Sequence, residues 1–214
     1  MQNNIVITEI VKQIVEMEWK LFDQVQNIGG RASCQDDRQT FFLMRSSQLM
    51  AWNTTMQESY YYDLLQAHRD NRNLLSEKYA YMMERTNPEE FATIRNRIPK
   101  RSAEKDAMID CICKMHVAWQ EELLEKYPML AGQGRPIRKE EDTPTITSFE
   151  TYLWGELATY SFQTIRLYAE YAERMNKKGN NLGEIVLNYT VAQYGYISLA
   201  EAEKAIREQR NGNI

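Results

Sequence analysis

The stretch FFLMRSSQLMAWNTTMQESYYYDLLQAHRDNRNLLSEKYAY, residues 41–81, has a counterpart in FETYLWGELATYSFQTIRLYAEYAERMNKKGNNLGEIVLNY, residues 149–189. Phe41, Leu49, Trp52, Asn73, Leu74 and Tyr81 pair without a gap with Phe149, Leu157, Tyr160, Asn181, Leu182 and Tyr189, all at one offset (149 − 41 = 108). Gln48 falls on Glu156. Upstream, Gly30-Arg31 recurs as Gly134-Arg135, and Trp19 recurs as Trp119. In a repeat each unit needs the other to cover its apolar face. The sequence therefore predicts two related halves, residues 1–99 and 100–214, packed as a single globular domain about a pseudo-twofold axis.

Working outward, apolar residues recur at helical spacing almost everywhere and no alternation is long enough for a strand. The fold class expected is all-α, about ten helices in two five-helix halves. A first helix runs from about Ile5 to Gln26, with Ile10, Ile14, Leu21 and Val25 on one stripe. A glycine-containing loop, Ile28 to Asp37, interrupts it. Helices follow to about Trp52, through Tyr60-Tyr61-Tyr62, and over Leu74 to Glu84. Asn87-Pro88 opens a short fifth helix, where proline suits the first turn. The second half begins with a helix from Ser102 to Lys126, then a long irregular stretch, Pro128 to Ile146. Thr147-Ser148-Phe149-Glu150 and Ser198-Leu199-Ala200-Glu201 read as capping boxes. Between them lie helices over about Phe162 to Lys177 and Leu182 to Gln193.

Composition limits the function classes. With 43% apolar and 26% charged residues in 214, the chain can bury a core. A net charge of −4 argues against affinity for nucleic-acid backbone. No run approaches the roughly 18 apolar residues of a membrane span. The opening MQNNIVITEIVKQ lacks the pattern of a signal peptide. Three cysteines suggest no disulfide framework. A cytoplasmic protein, without membrane or nucleic-acid partners, is the expectation.

The two loops are the first place to look for chemistry. Each holds a Gly-Arg step, then acids (Asp36 and Asp37; Glu140, Glu141 and Asp142), then a helix start. Arg31 and Arg135 offer forked donors for a carboxylate or phosphate near free helix N–H groups. The bland alternative is that these arginines and acids pair with one another. Cys34 is the best nucleophile, because a helix start and an arginine both lower a thiol pKa; no histidine is near it in sequence. Cys111 and Cys113 point about 200° apart on a helix and suit packing. Arg45 and Gln48 share a helix face, with Trp52 a turn further on. Glu156 and Tyr160 repeat the Gln48 and Trp52 positions, so Glu156 is expected to meet Gln48 across the axis, with Glu150 nearby. That arrangement is either a structural hydrogen-bond network or a general base. Zinc spacing and the Glu-x-x-His pattern of di-iron bundles are absent. Glu16, Glu18, Asp36, Asp142, Glu150 and Glu156 remain as oxygen donors for a hard cation, yet no metal is expected. No Walker loop occurs.

Several strings are distinctive: Glu18-Trp19; Asn27-Ile28-Gly29-Gly30-Arg31-Ala32-Ser33-Cys34-Gln35-Asp36-Asp37; Met44-Arg45-Ser46-Ser47-Gln48; Gly132-Gln133-Gly134-Arg135-Pro136; Glu141-Asp142-Thr143-Pro144; and Thr147-Ser148-Phe149-Glu150-Thr151-Tyr152 with Gly155-Glu156-Leu157. Together they resemble a bacterial family designated domain of unknown function 4125, from about Glu16 to Leu199. The resemblance implies relatives mostly in anaerobic bacteria, some joined to a nucleotidyltransferase-like domain that this chain lacks. It carries over no catalytic residue and no cofactor.

The function expected is binding of a small anionic or polar metabolite between the halves, with or without catalysis. Arg31, Arg45 and Arg135 would hold the anion, with Asp36, Asp142 and Glu150 beside them. Gln48 would orient the ligand, and Cys34 and Glu156 are the catalytic candidates. Trp19, Trp52, Trp119 and Tyr160 would wall the pocket. The competing expectation is a non-catalytic partner module, serving a nucleotidyltransferase-like protein.

Overall fold

Helix starts in this chain are written in side chains that can accept a backbone N–H. In the computed structural model, which describes residues 6–26 and 30–212, Asn53 caps one helix, Asn73 a second, and Ser102, Ser148, Ser161 and Asn181 cap four more. Each accepts a donor that the first helical turn leaves unpaired. The order is α1 (Glu9–Asp23), α2 (Arg38–Met50), α3 (Thr54–Arg69), α4 (Leu74–Thr86), α5 (Pro88–Ile94), α6 (Ala103–Lys126), α7 (Pro128–Ala131), α8 (Phe149–Thr159), α9 (Phe162–Lys177), α10 (Leu182–Gln193) and α11 (Leu199–Gly212). Among the described residues there is no strand, and the fold is all-α.

The helix stops are equally local. Two residues past the end of α3 stands Asn71, whose φ is 52°, and two past the end of α9 stands Gly179, whose φ is 71°. After each, one N–H reaches back five residues: Arg72 to the Ala67 carbonyl at 2.8 Å, Asn180 to that of Met175 at 2.9 Å.

Packing places the site. α1 packs on α2, α3 and α4, and α6 on α8, α9 and α10. Across these groups α4 lies on α8, α2 on α10 and α3 on α9. The main buried cluster draws Ile14 from α1, Leu49 from α2, Leu64 from α3, Tyr81 from α4, Ile112 from α6, Leu157 from α8 and Ile165 from α9. A smaller one joins Val191, Leu199 and Ala202. Gly155 makes a close approach between helices: a Cβ there would stand 2.6 Å from Met82 Cγ and 3.0 Å from the Lys78 carbonyl. Glycine is what lets α8 lie against α4.

Three expectations change. α1 ends at Asp23, short of Gln26, because the Phe22 and Val25 carbonyls accept the Gln35 amide (2.9 and 3.0 Å) and the chain turns there. The 128–146 stretch contains the single turn α7. At Thr147–Glu150 no reciprocal box forms: Ser148 caps α8, and Glu150 accepts the N–H of Lys139 instead. The expected start at Ile5 and the Asn27-Ile28-Gly29 string lie outside the described residues.

Candidate functional site

Four charged side chains meet where α1, α2, α4 and α8 converge. Arg45 of α2 forks onto Glu18 of α1, Nη2 to Oε1 at 2.5 Å and Nε to Oε2 at 2.8 Å. Its Nη1 also donates to Glu156 Oε1 of α8 at 2.9 Å and to Gln48 Oε1. Lys78 of α4 donates to Glu156 Oε2 at 2.6 Å. Tyr60 and Tyr160 close the network, donating to Glu18 (2.7 Å) and Glu156 (2.8 Å). Two anions meet two cations. Glu18 is 1% exposed and Lys78 3%, so each would carry a large desolvation cost without the others.

Electrostatics follow from the geometry. Burial alone would raise the Glu156 carboxyl, but Arg45 and then Lys78 outweigh it and hold it well below the usual carboxylate range. Burial opposes the charge on Arg45 and Lys78, and their carboxylate partners overcome it and raise both. A carboxylate so depressed and so fully bonded is a weak base. Thus Gln48 and Glu156 do come together, through a shared arginine.

Aromatic rings seal this network from below. Trp52 stands edge-on to Tyr60, Tyr160 and Tyr168, with centroids 5.7, 5.9 and 5.4 Å away. His116 shares a hydrogen bond with the Tyr168 hydroxyl at 3.0 Å, and burial pushes its imidazole down to about 4. Trp19 and Trp119 go elsewhere, Trp19 against Phe22 and Phe41, Trp119 against His116.

The loops divide the remaining candidates. Arg31 is held by Asp23 (2.6 Å) and Asp36 (2.8 Å), in the open. Cys34 is exposed. Asp142 accepts the Ser148 N–H and the Thr151 hydroxyl, so it fastens the start of α8. Glu150 lies 3.9 Å from Arg85 and 3.8 Å from Lys139. Arg135 differs from all of these. Its guanidinium lies 4.8 Å over the Tyr152 ring and donates to the Thr147 carbonyl; among the described residues no carboxylate pairs with it.

Tyr152 was not singled out in the sequence, nor were Lys78 and Tyr79. Yet the Lys78 ammonium sits 3.5 Å from the Tyr152 ring centre, so one tyrosine touches both the buried network and Arg135. Burial, then Tyr152, pushes the Tyr79 phenol up to about 12, and both Cys34 and Arg135 lie within electrostatic reach of it. The spacing of Tyr152 and Glu156, one helical turn apart, was the signal available for Tyr152.

Arg135 also borders a pocket of about 590 Å³ between α6 and the loop before α8, with Leu124, Gly134, Ile137 and Phe149 among its walls. Arg138 in the same wall is spent on Glu121 at 2.6 Å. Among the described residues no three His, Cys, Asp or Glu side chains converge as a metal site, and no helix is long and apolar enough to cross a membrane.

No curated protein and no solved structure matches the chain. A family model spans residues 8–204, from before α1 into α11, and the chain belongs to that family, described as a protein of unknown function (DUF4125).

Proposed function

We propose that this protein binds a small anionic metabolite in the pocket beside Arg135, on a scaffold built from two related halves. The observation that carries the reading is the unpaired guanidinium. Arg31 has two acids, Arg45 two, and Arg138 one; Arg135 has a ring and a carbonyl. A planar cation lying over the Tyr152 ring keeps its forked donors ready for a carboxylate or phosphate. Gly134 and Ile137 offer room and apolar contact beside it. The buried ion-pair network is then the support: Lys78 and Glu156 fix α4 and α8, and Tyr152 rides on that pair.

A thermal-shift panel of mono- and dicarboxylates, phosphate esters and nucleotides tests the reading. A ligand at 100 times its Kd adds about 2.7 kcal/mol, which for a chain this size raises Tm by roughly 5–10 °C. The response should fall with added salt and vanish in Arg135→Gln while the helical circular dichroism is kept. A well-folded protein that answers no anion overturns the proposal. It would favour the second reading, a module that docks on another protein, for which Tyr194 and Ile197 are the supporting residues, 58% and 80% exposed in the turn between α10 and α11.

A further inference from the structure

Apolar side chains line much of the pocket beside Arg135: Leu124 of α6, Ala131 of α7, and Pro136, Ile137 and Phe149 around the start of α8. Leu124 is 39% exposed although it borders this hollow. An apolar group that enters and covers it gains from the loss of wetted surface. Pockets of this kind hold the body of a ligand on apolar walls and fix its orientation with few polar groups.

The charges on the walls limit what that ligand carries. Glu121, Arg135, Arg138 and Glu141 all line the pocket. Arg138 donates through Nε to Glu121 at 2.6 Å, and its backbone N–H donates to Glu141 Oε2 at 3.1 Å. Among the described lining residues, Arg135 is the cation left for a ligand. The first turn of α8 adds no donor: the N–H of Phe149 goes to the Pro136 carbonyl at 2.7 Å, that of Glu150 to the Ile137 carbonyl at 3.0 Å, and that of Thr151 to the Ser148 hydroxyl at 3.2 Å. One negative charge is therefore matched at Arg135. A second would come up against Glu121 or Glu141, whose like charge disfavours it.

We infer that the ligand class of this pocket is a monocarboxylate with an apolar body, such as a medium-chain aliphatic acid. This rests on Arg135 being the anion contact, as proposed above, and narrows it: dicarboxylates, phosphate esters and nucleotides carry too much charge for these walls. The carboxylate takes the forked donors of Arg135. The chain lies along Leu124, Ile137 and Phe149, and the acids at the rim turn away a ligand with a charge at both ends.

Butyrate, octanoate and the matching dicarboxylate suberate are the probes, titrated into the full chain and followed by ligand-observed NMR. Octanoate should bind about 15-fold tighter than butyrate, since each buried methylene contributes up to about fourfold. It should also bind about tenfold tighter than suberate. Leu124→Ser should cut the octanoate-to-butyrate ratio to about a third or less. Glu141→Gln should raise the affinity for suberate about threefold and leave the octanoate-to-butyrate ratio as it is. Three probes that bind alike, all dependent on Arg135, overturn this inference and leave the anion site standing. A folded chain that binds none of them and no other anion overturns both. Octanoate binding that survives Arg135→Gln overturns the inference, as does a folded Leu124→Ser variant with an unaltered ratio. Should Leu124→Ser fail to fold, Glu141→Gln decides: an unchanged preference for octanoate over suberate overturns it.

Discussion

Glu156 is where removal of one charge does most damage. Glu156→Gln leaves Arg45 with Glu18 alone and Lys78 with no anion, both in a dry setting. Breaking one partner of a buried pair costs about 3–5 kcal/mol, and urea unfolding should show a loss of that size. Acid reads the same residue. Its folded pKa is depressed, so the stability it contributes is complete above the ordinary glutamate value of 4.5 and is lost as pH falls below it. His116 acts in a higher window. Its folded pKa is about 4 against 6.5 unfolded, so between those values only the unfolded chain takes up the proton. Stability should therefore fall as pH drops from 6.5 towards 4, by about 3 kcal/mol in all. His116→Phe should flatten that part of a stability-against-pH curve; an unchanged slope would contradict the assignment.

At the scale of the element, Asn73 and Asn181 each hold two structures together. Asn73 caps α4 and donates to the Leu21 carbonyl of α1 at 2.8 Å; Asn181 caps α10 and donates to the Trp119 carbonyl of α6 at 3.0 Å. Replacing either with alanine should cost about 1–2 kcal/mol. Gly155→Ala should cost about 1–3 kcal/mol by overpacking, because the Lys78 carbonyl it would meet is backbone and cannot turn aside. Such caps explain why α9 and α10 were legible from the sequence: Ser161 and Asn181 start them, and Gly179 stops α9. The end of α1 was not legible, since the apolar stripe runs on to Val25 and only the distant Gln35 amide ends the helix. Glu150 misled for a similar reason. Its sequence position suits a capping box, but folding brings the Lys139 N–H closer.

Across the whole molecule, the pairing of residues 108 apart led from Gln48 to Glu156, and those two share Arg45. It gave no sign of Lys78, whose partner position is Val186 (186 − 78 = 108) and uncharged. Nor does offset distinguish Arg31 from Arg135. What separates them is the supply of acids in space: Asp23 reaches back to Arg31 from the end of α1, and among the described residues no such acid meets Arg135. Sequence periodicity locates arginines; only the fold shows which one is unspent. In the proposed function Arg135 is the anion contact, while Arg45 is held in the buried network by Glu18 and Glu156. The most direct test follows the arginine Nε–H resonances by NMR as pooled carboxylates and phosphate esters are added. One resonance, absent from Arg135→Gln, should shift saturably while that of Arg45 stays fixed. A saturable shift at Arg45 with none at Arg135, or no arginine shift with any pool, would contradict it.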